Sequence, residues 1–143
     1  MNGVFSSYAN PSDVQGVCPD GWHLPSDTEW IELEMFLGMS EIYANATGWR
    51  ETDEGNKLKT TSGWDNNGNG LNSVGFSAFP AGGRDDLGFF YGLIENTEFW
   101  STLEYNNDSL FAKSRQLHSS YSDILRHNLK KNYGISVRCI KDD

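Results

Sequence analysis

"LPSDTEWIELEMFLG", residues 24–38, is the stretch that decides how the chain folds. Ser26 is a strong N-cap residue, and Glu29 stands three positions on, the spacing of a capping box. Asp27 and Glu29 also suit the positive end of a helix dipole. Trp30, Leu33, Phe36 and Leu37 then form one apolar stripe, and Gly38 is the natural C′ stop. The spacing predicts a helix over 27–37, with Trp30, Leu33 and Leu37 turned into the core.

Outward from this helix the chain changes character. "ETDEGNKLKT" (51–60) supports a second short helix, weakened by Gly55. Beyond residue 60, short apolar pieces alternate with turn clusters: "VGFSAFPAGGR" (74–84), "LGFFYGLI" (87–94), "EFWSTLEY" (98–105), "SLFAKSRQL" (109–117) and "GISVRCIKD" (134–142). Each is strand-length and bounded by Gly, Asn or Asp. A helical first half followed by a strand-rich second half is an α+β pattern.

The totals agree with one domain spanning 1–143. A chain of 143 residues can bury a core without metals or extra crosslinks. Hydrophobic residues make up 37% and aromatic residues 13%, so Trp, Phe and Tyr should build much of that core. A net charge of -9 leaves no basic face for phosphates, which argues against nucleic acid as a partner. No apolar run is long enough to cross a membrane, and no signal peptide is recognisable, so no membrane insertion is expected. Two cysteines, Cys18 and Cys139, lie near opposite ends. They are either a disulfide, worth roughly 4–5 kcal/mol in the chain-entropy model, or two separate buried thiols.

Five motifs, in order, resemble one known family: "CPDGWHLPSDTEW" (18–30), "GWRETDEGNKLK" (48–59), "GFSAFPAGGR" (75–84), "FWSTLEY" (99–105) and "YGISVRCIKDD" (133–143). They resemble the Fibrobacter succinogenes major paralogous domain family over nearly the whole chain. "WHLPSDTEW" and "GISVRCI" are also similar to signatures of formylglycine-generating-enzyme-type domains, a branch of the C-type lectin fold. The resemblance implies a C-type lectin-like fold: two helices, a small twisted antiparallel sheet and much irregular chain. It further implies termini that meet, bringing Cys18 near Cys139. Part of the family pattern normally precedes "MNG", so a first strand is expected to be missing here.

Two polar segments stand out from this scaffold. "HSSYSDILRHNL" (118–129) is rich in Ser, His, Tyr and Asn, and its aliphatic spacing fits neither a clean strand nor a helical stripe. Tyr beside small polar residues is the composition of a binding face. Lectin-like folds of this kind also serve as variable proteins of diversity-generating retroelements, where mutated template adenines diversify AAC-type codons. Such codons cannot reach Lys, Glu, Gln, Met or Trp, and "YNNDSLFA" (105–112) and "HSSYSDILRHNL" contain none of these. The resemblance implies a variable, non-enzymatic surface, with "KSRQL" (113–117) and "KKNYGISVRC" (130–139) as fixed scaffold. The two segments are expected to form one solvent-facing patch. Tyr105, Tyr121 and Arg126 would be its anchors, and Asn106, Asn107, His118, Ser120, Asp123, His127 and Asn128 its polar contacts. The expected partner is a protein or glycan on another cell, met at a cell or virion surface.

Competing chemistry is thinner. Asp65, Asn67, Asn69 and Gly70 imitate the start of a calcium loop, but Phe76 occupies the twelfth position, where a Glu should chelate. No cofactor is expected, with calcium left open at this loop. A hydrolase would have to use His118 or His127 with Asp123. An oxidase of the formylglycine-generating type would need a late cysteine pair, and only Cys139 lies late. His23, inside "GWHLP", reads as a hydrogen-bonded structural histidine. A structural or carbohydrate-binding module of a secreted bacterial cell-surface protein is the remaining alternative.

Overall fold

The computed structural model describes residues 16–105 and 108–142. The elements are β1 (Trp22–His23), α1 (Asp27–Phe36), α2 (Glu41–Asn45), α3 (Glu54–Leu58), β2 (Gly83–Arg84), β3 (Phe90–Tyr91), β4 (Asn96–Tyr105), β5 (Asp108–His118), β6 (Leu125–Lys130) and β7 (Ile140–Lys141). The architecture is mixed α+β, with three short helices and small antiparallel sheets. The expected second helix shrinks to α3, and α2 is an element the sequence reading missed.

Helix α1 starts as its sequence dictates. Ser26 Oγ accepts from Glu29 N at 3.1 Å, and Glu29 Oε2 accepts from Ser26 N at 2.7 Å, which closes the capping box. Its buried side keeps the three positions expected in the core but not the whole apolar stripe. Trp30 and Leu37 are buried and Leu33 packs half-buried against the core, but Phe36 is 78% exposed. The positions turned inward beside Trp30 are Asp27 and Glu34.

The central sheet has the order β4-β5-β6. Strand β6 begins inside the 118–129 segment, whose aliphatic spacing fits no clean strand, and ends at Lys130. Its alternation was hidden because Arg126, an inward residue, is charged. On one face Phe99, Arg115 and Arg126 lie in register toward α1, while on the other Trp100, Ser114 and His127 lie in register. Trp30, Leu37, Leu58, Trp64, Ala78, Phe99, Leu117 and Ile124 form the core, and the Trp30 ring lies 5.8 Å from that of Phe99. Loops cover both sheet edges: Gly82, Ser136 and Pro25 bond the backbone of β4, and Gly48 bonds Arg126 of β6. These contacts occupy backbone groups along β4 and at Arg126 of β6 that a stray strand could otherwise pair with.

Strands β1 and β7 pair antiparallel, His23 opposite Ile140. Beside them Cys18 and Cys139 are disulfide-bonded, with Cα atoms 5.8 Å apart. His23 bridges the same junction, its Nδ1 2.6 Å from Asp142 Oδ1 and its Nε2 2.7 Å from Glu29 Oε1.

Candidate functional site

Beneath the sheet lies a buried ionic network. Glu34 takes Arg50 Nη1 and Nη2 at 2.8 and 2.7 Å and Arg115 Nε at 2.7 Å. Asp27 takes Arg115 Nη1 at 2.8 Å and Arg126 Nη2 at 2.5 Å. Burial alone would raise the Asp27 carboxyl, but hydrogen bonds and fields from Arg126 and Arg115 hold it below its ordinary 3.8. This corrects two expected contact residues. Arg126 is 8% exposed, and besides Asp27 it binds the carbonyls of Asn45 and Ala46. Asp123 is 4% exposed and accepts from the backbone N–H groups of Arg50 and Glu51 at 2.6 and 2.9 Å. Both are framework, because a buried charge must be matched inside the protein. Ile124, between them, is in the core.

The loop from His118 to Asp123 is held from several sides. Lys59 Nζ donates to the carbonyls of His118 and Tyr121 at 3.2 and 2.9 Å. Burial lowers the Lys59 pKa, and the Asp123 charge opposes that. A Cβ on Gly68 would come within 2.4 Å of Ser119 O, and one on Gly55 within 2.4 Å of Asp123 O. Only glycine allows backbones this close. Ser119 N also donates to Glu95 O at 2.7 Å, and Asn56 N to Ser122 O at 3.0 Å.

Outside this cradle the loop displays Tyr121, His118 and Ser120. Tyr121, 46% exposed, stacks on Trp49 with ring centroids 4.1 Å apart, and the His118 ring stands edge-on to it at 5.5 Å. His118 Nδ1 accepts from Ser120 N at 3.0 Å, which fixes the imidazole. Trp49, inside the "GWRETDEGNKLK" motif, is half-exposed and part of this cluster. Its position beside "GWR" gave no signal of that, because the stack joins residues 72 positions apart.

The remaining candidates lie elsewhere. Tyr105, 39% exposed, and Asn128 meet around Lys113, whose Nζ lies 5.9 Å from the Tyr105 ring centroid and 3.3 Å from Asn128 Oδ1. His127 is on the opposite face, where Nε2 donates to Glu98 Oε1 at 2.5 Å, and Ser114 Oγ donates to the same oxygen at 2.6 Å. Nearby Tyr91 has its pKa pushed up to about 12 by burial and then by Glu98, so its phenol stays protonated. Asn106 and Asn107 lie outside the described residues. The expected single patch is thus three places: an aromatic cluster, a lysine-centred site and a histidine–glutamate pair.

Ser114 and His127 both bond Glu98 rather than each other, so they do not form a nucleophile–base pair. Among the described residues, no three His, Cys, Asp or Glu side chains gather as a metal site. In the calcium-like loop, Asp65 Oδ1 accepts from Asn66 N and Asn69 Oδ1 accepts from Trp64 N, as turn residues do. No described helix is long and apolar enough to cross a membrane.

Against known proteins, the family model described as Fibrobacter succinogenes major domain matches residues 1–141. No curated protein and no solved structure matches the chain.

Proposed function

The chain belongs to the Fibrobacter succinogenes major domain family, and on that premise we propose that it is a non-enzymatic ligand-binding domain on a C-type lectin-like scaffold. One observation carries the reading. A loop clamped by Lys59, Gly55 and Gly68 presents the half-exposed stack of Tyr121 on Trp49, with His118 and Ser120 beside it. Exposed aromatic area on a fixed backbone loses little entropy on binding, which is how recognition surfaces gain affinity. The partner is a protein or glycan on another cell, met outside the cytosol or on a virion. The Cys18–Cys139 disulfide supports an oxidising location.

On this reading the domain is the variable protein of a diversity-generating retroelement. Burial then limits variation within 118–129 to positions such as His118, Ser120, Tyr121, His127 and Asn128. Asp123, Ile124 and Arg126 must stay constant to keep the network and core. The encoding DNA tests this: the template repeat should differ from the gene at adenines of the displayed codons and not at those three.

The binding surface is tested by the paired substitution Trp49→Ala and Tyr121→Ala. Its melting temperature should fall by no more than a few degrees, while binding to target cells or arrayed glycans disappears. Unchanged binding with the stack removed would sink the assignment of this surface.

A further inference from the structure

The hairpin of β2 and β3 ends in a tip that is both fixed and apolar. Asp85 fixes it: Oδ1 accepts from the N–H groups of Leu87 and Phe89 at 3.0 and 2.8 Å, and the Asp85 N–H donates to Phe89 O at 2.9 Å. Gly88 completes the turn with φ +97°, a conformation that favours glycine. On this turn Leu87 is 78% exposed, Phe89 68% and Phe90 86%. Single exposed apolar residues are ordinary, but three large ones within four positions mark an interaction site.

The backbone says how a partner would be held. Arg84 exchanges both its N–H and its C=O with Gly134, at 2.8 Å each, so these groups point away from β3. Arg84 stands opposite Phe90 in the antiparallel pair. The two therefore form a non-hydrogen-bonded pair, in which each residue directs its backbone groups outward. The N–H and C=O of Phe90 thus face away from β2, at the outer edge of the hairpin. Lysine, proline and inward charge, which commonly guard such an edge, are all missing from "LGFFYG" (87–92).

We infer that β3 is a self-association edge, at which two copies of this chain pair antiparallel about a two-fold axis through Phe90. Under that symmetry the Phe90 N–H of each copy donates to the Phe90 C=O of the other, so one residue supplies both halves of an isologous contact. In that register Phe89 lies opposite the other copy's Tyr91, an aromatic cross-strand pair. The turn's two carboxylates are already engaged, Asp85 with backbone amides and Asp86 with Lys130 at 3.1 Å. Three such side chains expose roughly 450 Å² per copy. About 900 Å² would be covered in all, below the roughly 1,200 Å² of a stable complex. The dimer is therefore weak and reversible, and the charge of -9 on each copy weakens it further at low salt.

Sedimentation equilibrium of the intact protein, from micromolar to millimolar concentration in low and high salt, tests this. A reversible dimer is expected, tighter in high salt. Phe90→Lys adds the missing guard at an exposed position and should raise the Kd about tenfold or more. Ile42→Lys makes the same change at an exposed residue of α2 and should leave the Kd unaltered. Hydrogen exchange gives a reading that needs no variant: the Phe90 amide of the unaltered protein should gain protection as concentration rises. A monomer throughout the range overturns the proposal, even if the tip takes up lipid vesicles instead. So does a dimer that Phe90→Lys leaves intact, or one that Ile42→Lys weakens equally. Should Phe90→Lys fail to fold, a Phe90 amide that stays unprotected in the dimer refutes the edge. The protein with Trp49→Ala and Tyr121→Ala should dimerise like the unaltered one, so failure of the aromatic surface and failure of this edge are separable.

Discussion

Arg115 is the residue around which the inner face of the sheet is organised. It is fully buried, donates to both Glu34 and Asp27, and lies with its guanidinium carbon 6.0 Å from the Trp30 ring centroid. Removing one member of a buried ionic cluster leaves uncompensated charge in a low dielectric. Arg115→Met should therefore cost about 3 kcal/mol, at the lower end for such a loss, because Arg50 and Arg126 still serve the two carboxylates. Urea titration would measure it, and a change under about 1 kcal/mol would mean that the network contributes little net stability. His23 makes a prediction in pH. Burial alone would lower its pKa, but hydrogen bonds to Asp142 and Glu29 outweigh that and raise it above 6.5. A raised folded-state pKa means that the stabilisation is complete below about 6.5 and is lost as pH rises through the higher folded value. Thermal melts from pH 5 to 9 should show this loss, and Asp142→Asn should reduce it.

At the scale of elements, helix α1 shows both the reach and the limit of pattern reading. Its start was legible, since Ser26 and Glu29 make the capping box the spacing announces. Ser26→Ala should cost about 0.5–2 kcal/mol, whereas Phe36→Ala, at an exposed position, should stay within about 0.5 kcal/mol. Chemical denaturation of the two variants checks the contrast; equal losses would contradict the exposure of Phe36. The inward face was legible at Trp30, Leu33 and Leu37 but not at its charged positions. A stripe is read by counting apolar residues, and α1 turns Asp27 and Glu34 inward because arginines from other elements wait there. Strand β6 was missed for the matching reason: Arg126 interrupts the apolar alternation while occupying an inward position. The aromatic cluster was half legible. The composition of 118–129 marked Tyr121 and His118, but nothing local tied them to Trp49 or separated them from Asp123 and Arg126.

For the whole molecule, the disulfide between Cys18 and Cys139 joins positions 121 residues apart. In the chain-entropy model a loop of that size is worth roughly 4–5 kcal/mol, mostly through restriction of the unfolded chain. Reduction, or Cys18→Ser with Cys139→Ser, should lower the melting temperature by several degrees or more, as calorimetry with and without reductant would show. The pairing of β1 with β7 should outlast reduction if His23 keeps its bonds to Glu29 and Asp142. What the sequence determined by itself was local: the α+β order of elements, the capped helix, the turn chemistry of the Gly- and Asn-rich connections, and the motifs that mark the family. These depend on neighbours a few residues apart, whose preferences act before the chain is compact. Only the tertiary structure decided which polar residues face inward and which face outward. A charged side chain is committed to the interior when partners far along the chain come within hydrogen-bond reach, and Asp27, Glu34, Arg115 and Arg126 gain those partners only when helix and sheet close together.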